Sequence, residues 1–357
     1  MTGALNPLAL AIRAKSLALE AGFDLAGIAD AAAPRELAFF SEWISRGYAG
    51  EMAYLTSQAE RRSDLRRAFP WARSVICVAL QYDTPHPYST ETPAERGWIA
   101  RYAWGDDYHD VMKARLDELV ERLQAEAGPF RSRTYVDTGP IVERAYAAAA
   151  GIGAWGKNTC LLHPEHGSWF FLGEAVTDLE LASDAALLDM CGSCTACLDA
   201  CPTGAFPAPY VLDATRCISY LTIEVKGGLA EERRAGLGRH VFGCDICQDV
   251  CPWNRKRRHR GGAGFEPRRG LLAPDLAELA GLDEPAFRER FRRSPVKRAK
   301  RRGLLRNVAV ALGNSGDASK RPILERLAGD EDQVVREHAL WALRRLSAGP
   351  SSTSGSR

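Results

Sequence analysis

Eight cysteines fall in a pattern that few chemistries require: Cys191-x2-Cys194-x2-Cys197-x3-Cys201-Pro202, a lone Cys217, and Cys244-x2-Cys247-x3-Cys251-Pro252. Three thiols two residues apart, with a fourth followed by proline, is the ligand spacing of 4Fe-4S clusters, and the second run repeats the Cys-x3-Cys-Pro ending. The chemistry is electron transfer. Where two such clusters share one chain, the last cysteine of each run serves the other cluster, because the backbone crosses between them. The predicted sets are Cys191, Cys194, Cys197 and Cys251 for one cluster, and Cys201, Cys217, Cys244 and Cys247 for the other. Zinc is the rival use of paired cysteines, but the triple spacing and the two Cys-Pro endings argue against it.

Two cysteines stand outside these runs. Cys77 lies in the apolar stretch Ser74–Leu80 and reads as a small core residue. Cys160 follows a polar turn and reads as an inert thiol, with a cofactor neighbour as the alternative.

A second chemical candidate is Asp137, which ends the strand-like Arg133–Val136 and precedes the turn Thr138-Gly139-Pro140. With an ordinary pKa of about 3.9, it needs burial or a neighbouring negative charge to act as an acid at neutral pH. The competing reading is an N-cap for a helix at Ile141, with Arg144 one turn on as a partner for Asp137 or for a phosphate. Gly151-Ile152-Gly153-Ala154-Trp155-Gly156 matches a dinucleotide fingerprint by letters only, since it follows a helical stretch rather than a strand. It reads instead as a helix C-cap and a loop presenting Lys157 and Asn158.

Three regions must position these groups. Residues 1–185 alternate helical and strand patterns (helices over Leu8–Ala21, Asp107–Ala127 and Ile141–Ala150, strands over Ser74–Leu80 and Arg133–Val136), which gives an α/β catalytic domain. Residues 186–255 form a ferredoxin-like module whose order comes from metal coordination. Residues 256–347 are a basic linker and a helical domain. There Leu304–Gly313 and Val334–Leu343 repeat one pattern about 30 residues apart, with a helix over Arg321–Leu327 between them, as in HEAT-type repeats. Residues 348–357, rich in Ser, are expected to be a disordered tail.

The 357 residues carry a net charge of only +2, yet Arg255–Arg306 holds 17 Lys or Arg against 6 Asp or Glu, leaving the rest near −9. The segment reads as a polyanion surface. Leu8–Leu10 is too short an apolar run for an export signal and Arg13 and Lys15 follow it, so a cytoplasmic protein with reduced thiols is expected. No run approaches the roughly 18 apolar residues of a membrane span.

Several stretches resemble the epoxyqueuosine reductase family of cobalamin-dependent iron-sulfur enzymes. They are Tyr102–His109, Tyr135–Pro140 with Glu143-Arg144-Ala145, Gly156–Thr159, Gly167-Ser168-Trp169, the run Cys191–Pro202, Cys217–Glu224 and Phe242–Pro252. The resemblance covers nearly the whole chain. It implies a cobalamin-binding domain, a two-cluster ferredoxin-like module and a HEAT-like domain that grips tRNA. It also implies the final step of queuosine biosynthesis, in which epoxyqueuosine at the wobble position of a tRNA anticodon is reduced to queuosine by a monomer fed from a low-potential electron donor. Asp137 matches the family's proton donor and a cobalamin neighbour. Arg62, Asn158, Ser219, Cys244 and Asp245 fall in segments that line the cobalamin pocket, and Glu224, Lys226 and Gly227 fall where the family touches tRNA. Ala154 and Cys160 depart from the family's usual residues without touching a ligand position. The runner-up is a reductive dehalogenase-like cobalamin enzyme acting on a small molecule, which has no use for the basic segment.

Overall fold

Ser74–Gln81 shows no polar-apolar alternation, the mark of a strand covered on both faces. The computed structural model describes residues 6–93, 95–255 and 265–348. Its main sheet is built from β1 (Leu25–Asp30), β2 (Ser74–Gln81), β3 (Ser132–Tyr135) and β4 (Phe170–Thr177), in the order β1-β2-β4-β3. All residues of β2 are buried. Every pairing is antiparallel. The alternation of patterns reads as α/β, which raises the expectation of parallel strands; periodicity reports which face is covered but not strand direction.

Alternate residues of β2 serve two cores. Ile76, Val78 and Leu80 pack with Leu17 of α1 (Pro7–Glu20) and with Met112 and Leu116 of α2 (Tyr108–Ala127). Val75, Cys77 and Ala79 face the other way, against Ala145 and Tyr146 of α3 (Glu143–Ala149). Cys77 is a core residue. Asn6 caps α1 through the Ala9 N–H at 2.8 Å, and Asp107 caps α2. At Gly27 a side-chain carbon would lie 2.1 Å from the Ala150 carbonyl oxygen, so glycine lets the end of α3 close on β1. Gly151, at φ +73°, then turns the chain away, as the C-cap reading expects.

The C-terminal part holds α4 (Lys300–Asn314), α5 (Arg321–Leu327) and α6 (Gln333–Ser347). From Gly303 to Gly313 α4 is buried all round, as a helix at the centre of a core must be. It also fixes the neighbouring cysteine segment. Arg306 donates to the carbonyls of Leu221, Val225 and Gly227 at 2.8 Å. Asn307 donates to those of Thr222 at 2.9 Å and Val241 at 2.8 Å. Several of these carbonyls close the helix Ile218–Ile223 and would otherwise be buried without donors.

Among the described residues, several cations of the basic segment pair with carboxylates while their side chains stay partly exposed. Arg268 meets Asp106 at 2.5 Å, Lys297 meets Asp107 at 2.7 Å and Arg298 meets Glu224 at 2.8 Å. Arg301 meets Asp330 at 2.7 Å and Arg302 meets Asp332 at 2.5 Å. The run Lys256–Arg260 lies outside the described residues, as do positions 349–357 of the expected tail. Among the described residues no helix is long and apolar enough to cross a membrane.

His338 of α6 ties the C-terminal helices to the cysteine segment. Its Nε2 accepts the Leu229 N–H at 3.0 Å, while Nδ1 faces the Val334 carbonyl at 2.7 Å, an arrangement only the neutral ring can satisfy. Burial pushes its pKa down from 6.5 to about 4, and burial does the same at His163 and His240. Below pH 6.5 the unfolded chain protonates these histidines while the folded chain keeps them neutral, so their contribution to stability falls as pH drops from 6.5 toward 4. Thermal melts across that window should show the stability of wild type falling relative to that of His338→Gln as the pH drops.

Candidate functional site

The thiols gather into two cavities. One is lined by Cys191, Cys194, Cys197 and Cys251 with Lys157 and Asn158. The other is lined by Cys201, Cys217, Cys244 and Cys247 with Pro202 and Ile246. Each cavity holds one predicted set of four. Among the described residues no three such side chains converge where a single ion would sit; sulfurs ringing a cavity suit a cluster several ångströms across.

Backbone donors face the sulfurs. Lys157 N–H points at Cys191 Sγ at 3.4 Å and Ala205 N–H at Cys201 Sγ at 3.3 Å. The amides of Ser219 and Tyr220, at the start of the helix Ile218–Ile223, address Cys217, and those of Trp253 and Asn254 address Cys251. Such bonds stabilise negative charge on thiolates and set cluster potential. The loop after Gly156 locks the first run in place, because Lys157 Nζ donates to the carbonyls of Gly192 at 2.7 Å and Cys194 at 2.9 Å. Cys194 is exposed, so the first cavity reaches the surface. Cys160 is not an isolated thiol: it lies against the Cys247 side chain.

Asp137 sits at φ +59°, a left-handed conformation unusual for a residue with a side chain. The turn is held by Glu143, whose Oε1 accepts the Asp137 N–H at 2.5 Å. Helix α3 starts at Glu143 with Val142 as its cap residue, so Asp137 is not the N-cap of that helix. Its side chain is 49% exposed. The Tyr108 hydroxyl donates to Asp137 Oδ2, and His109 Nε2 stands 3.6 Å from the same oxygen. Tyr108 stacks on Phe171 at 4.1 Å, and burial, followed by the Asp137 charge, holds its phenol firmly protonated. His109 Nδ1 meets Asp107 at 2.7 Å, and Asp107 also receives Lys297, so His109 and then Lys297 hold the Asp107 carboxyl well below the usual range. Arg144 makes no ion pair with Asp137; Tyr108 and His109 take that place. Both lie in Tyr102–His109, but nothing in their spacing marks them as partners of a residue 29 positions on.

The other candidates divide into two groups. Arg62 is buried near Asp137, donating to the Ile141 carbonyl at 2.7 Å while its Nε finds no acceptor. Asn158, Ser219, Cys244 and Asp245 touch the cysteine segments: Cys244 lines the second cavity, Asn158 lines the first and its Nδ2 reaches the Cys247 carbonyl at 3.4 Å, the Ser219 amide addresses Cys217, and Asp245 accepts from Trp98 at 2.9 Å and from the Arg101 N–H at 2.7 Å. The half-buried Tyr102 phenol is pushed up by burial first and then by the charge of Asp137, with smaller effects from Glu224 and Asp245. Glu224 is taken by Arg298 in a two-point contact of 2.8 and 3.0 Å, and Lys226 Nζ donates to the Ile223 carbonyl at 2.8 Å. Gly227 alone of that trio has open space beside its α-carbon. Tyr54, with Arg298 over its ring at 5.5 Å, completes this rim.

Two four-thiol cavities in one chain define an iron-sulfur protein, and the acid held in a strained turn suits an oxidoreductase. The sequence matches an epoxyqueuosine reductase QueG, DUF1730 family model over residues 62–138 and a 4Fe-4S double cluster binding domain over residues 190–254. It is 45% identical to the epoxyqueuosine reductase of Pseudomonas aeruginosa over 347 residues, 95% of each chain. It is 39% identical to that of Escherichia coli over 337 residues, 94% of this chain and 89% of the other. A crystal structure of epoxyqueuosine reductase with a tRNA-Tyr epoxyqueuosine-modified tRNA stem loop superposes with a TM-score of 0.84 at 34% identity, covering 94% of this chain and 89% of that one. The Bacillus subtilis enzyme, solved with a catalytic aspartate loop swung out of the active site, gives 0.85 at 33% identity, covering 94% and 90%. The chain belongs to the epoxyqueuosine reductase family.

The cavity partition predicts the metal content of variants. Cys217→Ser should lower iron from about eight to about four atoms per chain, and Cys194→Ser should remove the other four. Iron assay with electron paramagnetic resonance of the surviving cluster checks this. Two zinc ions in place of iron would contradict the assignment.

Proposed function

We propose that this protein reduces epoxyqueuosine to queuosine in the anticodon of tRNA, with Asp137 as the proton donor. The single observation that carries the reading is the placement of Asp137: a half-exposed carboxyl in a left-handed turn, fixed by Tyr108 and His109. Removing an epoxide oxygen as water takes two electrons and two protons, and leaves a carbon-carbon double bond. Electrons need a route, which the two thiol sets supply, and the oxygen needs an acid, which Asp137 supplies.

The residues between them suit cobalamin. Its fringe of carboxamides asks for alternating donors and acceptors, and Arg62 Nε is a buried donor without an acceptor, while Asn158 and Ser219 add an amide and a hydroxyl. Arg62, Asp137, Asn158, Ser219, Cys244 and Asp245 would hold it. When bound, it supplies a strongly reducing cobalt centre. The protein's own residues do the rest. Tyr108 donates to Asp137 Oδ2 and so leaves Oδ1 to carry the proton toward the departing oxygen. His109, anchored by Asp107 and Lys297, keeps the carboxyl from rotating away.

The layout we favour has a catalytic layer over 1–185, a two-cluster module over 186–255 and a helical part over 256–347. In it α4 to α6 act as HEAT-like repeats, and the rim of Tyr54, Glu224, Lys226, Gly227 and Arg298 meets the tRNA. With Glu224 and Lys226 already paired, Gly227 and Tyr54 offer backbone and ring contacts to an unstacked loop. Electrons enter from a low-potential donor at the set that includes the exposed Cys194. The chain acts as a monomer in the cytoplasm.

The experiment is an anaerobic assay of reconstituted protein with cobalamin, reductant and epoxyqueuosine-bearing tRNA. Wild type should form queuosine. Asp137→Asn should lose on the order of 10²-fold or more in rate while still binding cobalamin, and Tyr108→Phe should lose less. Full activity of Asp137→Asn would end its role as donor.

A further inference from the structure

Among the described residues, Lys157 is the only charged side chain lining either thiol cavity. It sits in the turn of a short hairpin that pairs Ala154–Trp155 with Leu161–Leu162. That turn is fixed from several sides. The Gly156 N–H donates to the Cys160 carbonyl and the Thr159 N–H to the Gly156 carbonyl, both at 2.8 Å, with Thr159 left-handed at φ +64°. The Lys157 carbonyl accepts the Tyr210 N–H at 3.0 Å.

The turn brings two donors of one residue to the same set of four thiols. The Lys157 N–H points at Cys191 Sγ at 3.4 Å, while Nζ meets the carbonyls of Gly192 at 2.7 Å and Cys194 at 2.9 Å. Bonds to carbonyls hold the ammonium in place without neutralising it, and among the described residues Lys157 makes no ion pair with a carboxylate. The carboxylate on this side is Asp189, whose Oδ1 accepts the Cys191 N–H at 3.0 Å and the Tyr210 hydroxyl at 3.1 Å. Asp189 is exposed, so water screens it more than it screens the half-buried Lys157.

Backbone amides do not distinguish the two sets, since Ala205 addresses Cys201, and Ser219 and Tyr220 address Cys217, as Lys157, Trp253 and Asn254 address the first set. The lysine charge does. Reduction adds one negative charge to a 4Fe-4S cluster, and a fixed cation beside it stabilises the reduced form. We propose that Lys157 raises the reduction potential of the cluster held by Cys191, Cys194, Cys197 and Cys251 above that of the other, which makes it the one an external donor fills first. This role rests on the reading that electrons enter at the set containing Cys194. The step is a one-electron transfer in which the donor is oxidised and the cluster reduced, with no bond made or broken. Lys157 is a positioning residue that acts through its charge.

Lys157→Gln keeps an amide N–H for the carbonyls and the backbone N–H for Cys191 but removes the charge. The measurement is a redox titration of the full reconstituted chain with dithionite, followed by electron paramagnetic resonance. Cys217→Ser and Cys194→Ser, each leaving one cluster, assign the signals. In wild type the first cluster should titrate at the higher potential. In Lys157→Gln the equilibrium constant for its reduction should fall about tenfold, which is about 59 mV for one electron, with the second cluster unmoved. Lys157→Arg, which keeps the charge, should stay near the wild-type value. An unchanged first-cluster potential in Lys157→Gln with about eight irons bound would overturn the role of Lys157. Should Lys157→Gln not load the first cluster, the wild-type order decides, and a first cluster at or below the second overturns the proposal. If a reduced flavodoxin reduces Cys194→Ser as fast as wild type, the entry reading fails whatever the potentials are.

Discussion

A 4Fe-4S cube closes only when four thiolates reach it, and no single stretch of this chain brings four to one place. Cys251 must come back to the run that begins at Cys191, and Cys217 must meet both Cys201 and the pair Cys244 and Cys247. That demand reaches well beyond the cysteines. Cys217 precedes the helix Ile218–Ile223, whose last carbonyls are held by Arg306 and Asn307 of α4. Asn307 also grips Val241, three residues before Cys244. The C-terminal helices thus serve the clusters before they serve any substrate, because two buried polar side chains on α4 fix two of the ligand-bearing segments.

The acid side is assembled by the same logic at smaller scale. Asp137 stands in an unfavourable backbone conformation that Glu143 holds closed, and its carboxyl is clamped by Tyr108 and His109. Behind His109 come Asp107 and then Lys297, so a residue of the basic segment supports a residue of the catalytic layer. Much of the +11 of that segment is spent in this way on pairs with Asp106, Asp107, Glu224, Asp330 and Asp332. The more exposed of these pairs, such as Arg268 with Asp106, contribute little each; their value here is orientation.

The grouping of the eight thiols into two sets of four was legible from spacing because coordination imposes a rule on sequence that packing does not. The strand Ser74–Gln81 and the helix ending at Ala127 were legible because burial on two faces, or on one, leaves a period. Strand direction was not, since antiparallel and parallel neighbours bury the same residues. The contact of Cys160 with Cys247, the pairing of Asp137 with Tyr108 and the place of Glu174 in β4 all join residues far apart in the chain, and no local pattern records such meetings. Charge counting is coarse for a related reason: composition shows how many arginines a segment has but not how many already face a carboxylate.

Glu174 marks the point where fold stability and chemistry pull apart. Its neighbours Phe170 and Val176 do what a core row should do, and an apolar residue in its place would pack against Cys77 without a polar atom to satisfy. The same sheet that seals it also carries β3 to the edge, where the chain leaves Tyr135 for the Asp137 turn. Rigid antiparallel pairing of β3 with β4 therefore sets the spacing between a sealed acid and a half-exposed one, with Glu143 at the head of α3 between them. Cysteines drawn from distant segments line the two cavities, whereas the half-exposed and the sealed carboxyl are fixed to one sheet and the head of one helix.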